Sequence, residues 1–261
     1  MIKLNKKITC VIPARLKSSR FPKKILALLA GKSLMQWVWE AANKTELFHN
    51  ILFAIDSKET ANVINRFGGK YVMTSEKCTT GTDRLIELVS IKNIKSDIFV
   101  CWQCDEPFIT KKMILQLLQS CSYDNADVWT LKKQISICEE LTSPNVVKVV
   151  CNTENFALYF SRSPVPHYNF DKISKKSYLP EGSHFKHIGI YAYTANALKK
   201  IASMQRCLLE KIESLEQLRF LYNGLTIKVH ETDQAVLGID TPEDLKMAEK
   251  FIKKYKIEKQ N

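Results

Sequence analysis

Short apolar runs alternate with segments of helical period along most of the chain. The runs at 8–12, 51–55, 71–73 and 98–102 are three to five residues long, as expected for strands buried on both faces. Between them, apolar residues recur every three or four positions, which is the spacing of an amphipathic helix. This alternation predicts an α/β fold with a doubly wound, mainly parallel sheet covered by helices.

The alternation changes character in the middle of the chain. The apolar runs 146–151 and 156–160 flank a short polar segment, which predicts an antiparallel hairpin. The stretch 163–185 contains three prolines and predicts a long irregular excursion. We therefore predict a nucleotide-binding α/β core at 1–131 and 196–261, with an inserted mixed α+β subdomain at 132–195.

Apolar residues recur at helical spacing again late in the chain and predict a single helix that ends at Gly224. The residues on this face are Ile212, Leu215, Leu218 and Leu221. A last helix is expected to begin after Thr241, because Pro242 and Asp244 follow it at the spacing of a helix start.

The charge of the chain raises the question of nucleic acid. The formal net charge is +12, from 39 basic and 27 acidic residues. Of the basic residues, 32 are Lys and are scattered, without the clustered basic face of a nucleic-acid binder. We expect small-molecule partners and no nucleic acid. The seven Arg residues are then the candidates for forked binding of phosphate or carboxylate groups.

The apolar runs and the cysteines indicate the cellular compartment of the protein. The longest apolar stretch is about six residues, against the roughly 20 needed to cross a bilayer, so no membrane contact is expected. The run 8–12 is also too short for a signal-peptide core. Eight cysteines at irregular spacing favour free thiols in a reducing compartment. We expect a cytoplasmic protein.

A basic loop follows the first strand, at the position where doubly wound folds often bind phosphate. It lacks both the Gly-x-Gly-x-x-Gly and the Walker pattern. It does offer Arg15, Arg20 and Lys24 with Ser18 and Ser19, and such cations together with backbone N–H groups could hold a triphosphate. A solvated basic loop is the alternative.

Two carboxylates are candidates for a metal site. Asp105 lies just beyond the apolar run 98–102, and Asp240 precedes the cap of the last helix. Mg²⁺ is commonly bound by one or two carboxylates, with water and phosphate in the remaining positions. The two residues could therefore meet as a metal pair, although Asp105 could also belong to an ordinary acidic turn closed by Pro107.

Seven motifs, in this order, resemble those of the 3-deoxy-manno-octulosonate cytidylyltransferases, also called CMP-Kdo synthetases. They are Ile12–Arg15 with Arg20–Lys24, Gly81–Arg84, Gln103–Pro107, Ala157–Arg162, His187–Tyr191, Leu215–Arg219 and Gly238–Asp244. The resemblance implies a nucleotide-diphospho-sugar transferase-like fold and a homodimer formed through the inserted subdomain. It also implies activation of the sugar acid (Kdo) by CTP for lipopolysaccharide biosynthesis, with Mg²⁺ and release of pyrophosphate.

The resemblance also implies roles for individual residues. Arg15, Lys24 and Asp105 would be catalytic, and Asp105 and Asp240 would bind Mg²⁺. The residues expected to bind CTP are Pro13, Ala14, Arg15, Arg20, Lys24, Gly81, Thr82, Arg84 and Gln103. Those expected to bind the sugar acid are Gln103, Arg162, His187, Glu213, Glu216 and Gln217. In the alternative interpretation, His187 only satisfies hydrogen-bonding groups at the edge of a strand, and Glu213, Glu216 and Gln217 lie on the solvent-exposed face of a helix.

The chain departs from the family pattern at three positions. Cys104 and Lys23 stand where the family usually has Gly, and Asp83 stands where it usually has Glu. Gly allows the backbone to approach a ligand closely and to adopt a positive φ, and a Cys at position 104 loses both possibilities. Two alternatives therefore stay open: the same chemistry on a related acid, such as 8-amino-Kdo or a sialic acid, and a CTP-binding homologue without catalysis.

Overall fold

The computed structural model describes residues 6–18, 21–167 and 179–254. The chain forms two compact units. The first, here called the terminal unit, contains the described residues of 4–114 and 235–261. The second, the middle unit, contains those of 115–234.

Eleven strands and nine α-helices occur in the described residues. The strands are β1 (Ile8–Ala14), β2 (Leu28–Leu29), β3 (Lys32–Ser33), β4 (Asn50–Ile55), β5 (Tyr71–Met73), β6 (Ile98–Cys101), β7 (Val128–Gln134), β8 (Lys148–Cys151), β9 (Ala157–Ser161), β10 (Phe185–Thr194) and β11 (Ile227–Glu231). The helices are α1 (Leu34–Thr45), α2 (Lys58–Arg66), α3 (Gly81–Ser90), α4 (Lys111–Leu118), α5 (Cys138–Thr142), α6 (Ala195–Ala202), α7 (Leu208–Glu213), α8 (Gln217–Tyr222) and α9 (Pro242–Lys254).

The sheet of the terminal unit is parallel. Its strands have the order β6-β1-β4-β5, and every pairing among them is parallel. All seven residues of β1 are buried, which explains why this strand is apolar throughout and does not alternate. The predicted parallel α/β fold is confirmed. Because the strands are parallel, the loops after β1, β4 and β6 leave the sheet at one edge.

Polar caps fix the starts of the helices in this unit. The side chains of Ser33 and Ser57 accept hydrogen bonds at the starts of α1 and α2. Thr80 and Asp83 form a reciprocal capping box on α3. Asp244 N donates to Thr241 Oγ1, and Thr241 N donates to Asp244 Oδ2, at the start of α9. These bonds satisfy backbone groups that a helix terminus leaves unpaired.

The C-terminal segment completes a core of the terminal unit. Ile239, with Ala248 and Ile252 of α9, packs against residues from the first half of the chain. Those residues are Leu29, Leu34, Trp37 and Phe108. The burial of this face of α9 therefore brings the segment that contains Asp240 back to the N-terminal strands.

The middle unit is centred on β7. This strand pairs antiparallel with β10 and parallel with β11, while β8 and β9 form the predicted antiparallel hairpin. The sequence predicts boundaries at 132 and 195, whereas the compact unit runs from 115 to 234. The difference arises because β7 begins before residue 132 and β11 lies after residue 195. These two strands are hydrogen-bonded to each other, so the segments on both sides of the predicted insertion belong to the same unit.

The predicted single helix across 212–221 is wrong. Ser214 has a φ of 54° and ends α7, and α8 begins only at Gln217. A left-handed residue interrupts the helical hydrogen bonds, which shifts the apolar face between the two helices. Leu215 and Leu218 are buried, but Ile212 is 71% exposed.

Two further sequence-based expectations concern the irregular excursion at 163–185 and membrane contact. Within the predicted excursion 163–185, residues 168–178 lie outside the described residues, and the described Val165–Pro166 peptide bond is cis. No helix in the described parts of the chain combines the length and the apolar character needed to cross a membrane.

Candidate active site

A cavity of about 240 Å³ opens at the edge where the parallel strands of the terminal unit end. Eight of the residues predicted to form the CTP and metal sites line it: Pro13, Arg15, Lys24, Gly81, Arg84, Gln103, Asp105 and Asp240. Two other predicted residues, Ala14 and Thr82, are buried and do not belong to the lining. Arg20 lies outside the described residues.

The cavity lining includes a lysine that lies between two carboxylates. Lys24 Nζ lies 2.6 Å from Asp105 Oδ2 and 2.8 Å from Asp240 Oδ1. Burial alone would lower the pKa of Lys24, but the two carboxylates outweigh burial and raise this pKa above its usual value. Lys24 is therefore a fixed positive charge at neutral pH.

The backbone holds the two carboxylate segments together. Ile239 N donates to the carbonyl oxygen of Asp105 over 2.8 Å. A Cβ at Gly238 would lie 3.3 Å from Glu106 Oε1 and 3.8 Å from the Asp105 carbonyl oxygen. A side chain at position 238 would therefore crowd the carboxylate of Glu106 and would meet the Asp105 backbone at ordinary van der Waals distance.

The basic loop after β1 contacts the loop that precedes α3. Arg15 Nη1 donates to the carbonyl oxygen of Thr79 over 3.2 Å. Lys17 and Glu76, both exposed, lie 3.6 Å apart. These contacts give the cavity a wall formed by two loops.

Gly81 has a steric reason to be Gly. A Cβ at this position would lie 2.8 Å from Gln103 Nε2, closer than real Cβ atoms approach other heavy atoms, and a tight 3.1 Å from Pro13 Cγ, so the Gln103 amide would have to shift. The start of α3 therefore packs directly against Gln103. This contact brings three predicted site residues together.

Arg84 has a buried partner that the sequence interpretation missed. Its Nη2 donates to Asp56 Oδ2 over 2.7 Å, and both side chains are almost fully buried. Asp56 directly follows β4, so its position at the carboxyl end of a parallel strand was the available signal. The basic side chain predicted to seat cytidine is thus fixed by a carboxylate behind the cavity.

The remaining predicted residues belong to the middle unit. Arg162 N donates to Glu213 Oε2 over 2.9 Å, and Arg162 Nε and Nη1 donate to the carbonyl oxygens of Glu213 and Pro144. Ser161 Oγ donates to Glu213 Oε1. The structure therefore brings Arg162 and Glu213 together, with the Arg162 guanidinium bonded to backbone oxygens.

His187 lies on β10, with its Nε2 2.9 Å from Thr130 Oγ1. Its ring packs against those of Phe160 and Tyr191, and burial lowers the pKa of His187 to about 3. The imidazole is therefore neutral at physiological pH. It can exchange hydrogen bonds with hydroxyl groups, but it supplies no positive charge for a carboxylate.

Glu216 and Gln217 lie at the start of α8. Arg219 Nη2 is 3.5 Å from Glu216 Oε2, and Arg219 Nε is 3.4 Å from Glu210 Oε2. Gln217 is buried, and its Nε2 has no hydrogen-bond partner among the described residues. The start of α8 thus carries a buried amide nitrogen without a partner among the described residues.

Comparison with known proteins decides the family. The cytidylyltransferase family profile matches residues 9–228. The 3-deoxy-manno-octulosonate cytidylyltransferase of Thermodesulfovibrio yellowstonii (strain ATCC 51303 / DSM 11347 / YP87) is 42% identical over 252 residues, covering 94% of this chain and 98% of the relative. The enzyme of the same name from Vibrio vulnificus (strain YJ016) is 42% identical over 246 residues, with 94% and 97% coverage. This chain belongs to the 3-deoxy-manno-octulosonate cytidylyltransferase family.

Solved structures agree with this membership. A CMP:2-keto-3-deoxy-manno-octonic acid synthetase complexed with CTP matches with a TM-score of 0.85 and 36% identity, covering 95% of this chain and 99% of that protein. The 4-diphosphocytidyl-2C-methyl-D-erythritol synthase of Anaerococcus prevotii DSM 20548 matches with a TM-score of 0.60 at 13% identity, over 95% of this chain and 99% of that protein, and shares the fold alone. The family predicted from the seven motifs is confirmed.

The departures from the family pattern have structural counterparts. Lys23 adopts a φ of 53°, a conformation that favours the usual Gly, and its Nζ lies 2.7 Å from Glu59 Oε1. Cys104 is buried and is not among the described non-glycine residues with positive φ. Although burial alone would raise the pKa of Asp83, hydrogen bonds from Thr79 and Thr80 lower it, so the shorter carboxylate serves the α3 cap.

The cavity contains two carboxylates that bear on the divalent metal implied by the family. No group of three His, Cys, Asp or Glu side chains suited to a metal occurs in the described parts of the chain. Asp105 and Asp240 nevertheless flank one ammonium group, and their oxygens are the hard ligands that Mg²⁺ prefers. Because Mg²⁺ usually keeps several water or phosphate ligands, two carboxylates are a sufficient protein contribution.

Proposed function

We propose that this protein transfers the cytidylyl group of CTP to the anomeric hydroxyl of 3-deoxy-D-manno-octulosonate, giving CMP-3-deoxy-D-manno-octulosonate and pyrophosphate for lipopolysaccharide biosynthesis. The proposal rests mainly on the position of Lys24. This residue is held between Asp105 and Asp240 in a cavity that Arg15 and Arg84 also line. The 42% identity to enzymes named for this activity supports the choice of substrates.

In this reaction the protein has to supply positive charge more than covalent catalysis. The hydroxyl oxygen of the sugar attacks the α-phosphorus of CTP and loses its proton to solvent. The bond from that phosphorus to the α–β bridging oxygen breaks, and its electron pair leaves with pyrophosphate. Negative charge on the transferring group and on the leaving group is stabilised by fixed cations. We assign this role to Arg15 and Lys24, with the neighbouring N–H groups of the loop after β1.

Asp105 and Asp240 are the residues we propose to hold Mg²⁺. When bound, Mg²⁺ would supply further positive charge to the phosphate oxygens. In the structure the same carboxylates orient Lys24. They therefore hold one positive charge in the lining of the cavity even before a metal binds.

The remaining residues would bind the base and the sugar acid. We propose that Pro13, Gly81, Arg84 and Gln103 seat cytidine, since all four line the cavity. For the sugar acid we propose Arg162, His187, Glu213, Glu216 and Gln217, which all lie in the middle unit. Neutral His187 and the unpartnered Gln217 amide suit hydroxyl groups.

Three further points are part of the proposal. We expect the enzyme to act in the cytoplasm, where CTP is made available. We expect a homodimer formed through the segment 132–195. We expect CTP and the sugar acid to be its partners, with no nucleic acid or membrane involved.

Pyrophosphate release from CTP, measured with a panel of sugar acids, tests the proposal. We expect release with 3-deoxy-D-manno-octulosonate and Mg²⁺, and none when either is omitted. Preference for 8-amino-3-deoxy-manno-octulosonate or a sialic acid would select the related-substrate alternative. Saturable CTP binding without product from any acid would select the non-catalytic alternative.

A further inference from the structure

We propose that Asp56 is a positioning residue for the CTP cavity, because it fixes Arg84 and the loop that carries Arg15. The inference rests on the proposed function, since it assigns a supporting role within that site. Asp56 does not line the cavity itself. It acts from the layer behind the lining.

Asp56 uses both oxygens of its carboxylate. Oδ1 accepts a hydrogen bond from the backbone N–H of Leu16 over 3.1 Å. Oδ2 accepts one from Arg84 Nη2 over 2.7 Å. Since Leu16 directly follows Arg15, one carboxylate ties the phosphate-binding loop to the start of α3.

The charge of Asp56 is needed as well as its oxygens. The side chain of Arg84 is only 2% exposed, and that of Asp56 only 8%, so neither can exchange its partner for bulk water. Arg84 Nη1 donates to Thr74 Oγ1 over 2.5 Å, which holds the guanidinium on a second side. A planar guanidinium bound on two sides has one orientation.

The surroundings explain why a carboxylate is required at this point. Arg15, Lys17, Lys24 and Arg84 all line one cavity and repel one another. Asp105 and Asp240 pair with Lys24, whereas Asp56 pairs with Arg84. Without Asp56, a buried cation would lack its counter-charge and the loop after β1 would lose a backbone anchor.

Asp56→Asn tests the role of the charge. Asn keeps an oxygen for Leu16 N–H but cannot pair with Arg84. In folded protein we expect the KM for CTP to rise roughly tenfold or more, with the KM for the sugar acid unchanged. The control is Asp97→Asn, because Asp97 also accepts a backbone N–H bond, from Lys7 over 2.7 Å; it should leave both KM values unchanged.

Each result has one meaning. A folded Asp56→Asn enzyme with the wild-type KM for CTP overturns the inference and leaves the proposed function standing. Absence of turnover in the wild-type enzyme with every sugar acid overturns the proposed function instead. A lower Tm with unchanged KM values marks Asp56 as merely structural.

A second pair of variants is informative if Asp56→Asn does not fold. Arg84→Gln removes the buried cation, so Asp56 can then be neutralised without leaving a charge unpaired. In that background, Asp56→Asn keeps the acceptor for Leu16 N–H, whereas Asp56→Val removes it. We expect the Val double variant to have a KM for CTP roughly threefold or more above the Asn double variant. Equal values would overturn the anchoring of the loop.

Discussion

Lys24 Nζ lies 2.6 Å from Oδ2 of Asp105. In Asp105→Asn this ion pair and one proposed metal ligand are lost together, so we expect kcat for CTP turnover to fall about 100-fold or more. Steady-state pyrophosphate release checks this. Glu106→Gln changes the adjacent carboxylate and should keep near-wild-type activity. Full activity in Asp105→Asn would refute the assignment of Asp105 as a catalytic and metal-binding residue.

The position of Lys24 also predicts competition with metal. Its ammonium contacts the two oxygens that Mg²⁺ would use, and its raised pKa keeps it charged at neutral pH. We expect Lys24→Gln to bind Mg²⁺ more tightly than the wild type in the absence of CTP, yet to turn over more slowly. Isothermal titration with MgCl₂ measures the first effect. Weaker Mg²⁺ binding in the variant would argue that the metal binds elsewhere.

Cys104→Gly tests whether the unusual Cys impairs the enzyme. The thiol is buried, and burial followed by the charge of Asp105 raises the pKa of Cys104 well above its usual value, so the side chain is uncharged. Its backbone does not need the freedom of Gly. We expect unchanged turnover and a loss of about 1–2 kcal/mol in the free energy of unfolding. A large gain in turnover would instead identify Cys104 as a disabling substitution.

Lys23 should respond differently to Gly and to Val. Its φ of 53° is left-handed, and this region costs an L-residue about 1–2 kcal/mol. Its exposed ion pair with Glu59 contributes at most about 1 kcal/mol. We expect Lys23→Gly to leave the Tm unchanged or raise it, and Lys23→Val to lower it. Glu59→Gln, with little effect on Tm, controls for the ion pair.

Acid should destabilise the protein through its buried histidines. Nδ1 of His230 lies 2.7 Å from Gln119 Nε2, and Nε2 lies 2.7 Å from Ser120 Oγ; burial lowers the pKa of His230 to about 4. In the unfolded chain the pKa of a His is about 6.5. Between pH 4 and 6.5, the unfolded chain therefore binds more protons than the folded protein. The free energy of unfolding should therefore be constant above pH 6.5 as far as His230 is concerned, and should fall toward pH 4, by about 3 kcal/mol at most.

Urea unfolding at a series of pH values measures this loss. His230→Gln should be less stable at pH 7.5 but should lose less stability on acidification. Part of the slope should remain, because the pKa of His187 is lowered in the same direction. An equal slope in the variant and the wild type would exclude His230 as a source.

Local sequence signals predicted much of the fold and most of the cavity. Strand ends and helix caps are set within a few residues of each other, so the position of Asp105 beyond a strand and the helix start at Thr241 could be derived from short motifs. The helix break at Ser214 carried no such signal, because Ser is not a residue that usually adopts positive φ.

Long-range pairing accounts for what the sequence interpretation missed. Asp56 follows β4 and Arg84 lies in α3, and only the folded structure shows that they meet. The division of the chain at 115 and 234 likewise follows from the pairing of β7 with β11. Neither pairing leaves a pattern in a window of ten or twenty residues.

The partnership of Lys24 with Asp240, 216 positions away in the chain, has a consequence for biosynthesis. While the protein is being translated, the strands β1, β4, β5 and β6 leave the ribosome well before Asp240 and α9. At about 5–20 residues per second, the nascent terminal unit waits several seconds for its second carboxylate and for the helix that covers Leu34 and Trp37. Until then a growing chain has the loop after β1 but lacks Asp240, one of the two carboxylates that contact Lys24, and the apolar side chains that α9 covers lack their packing partner.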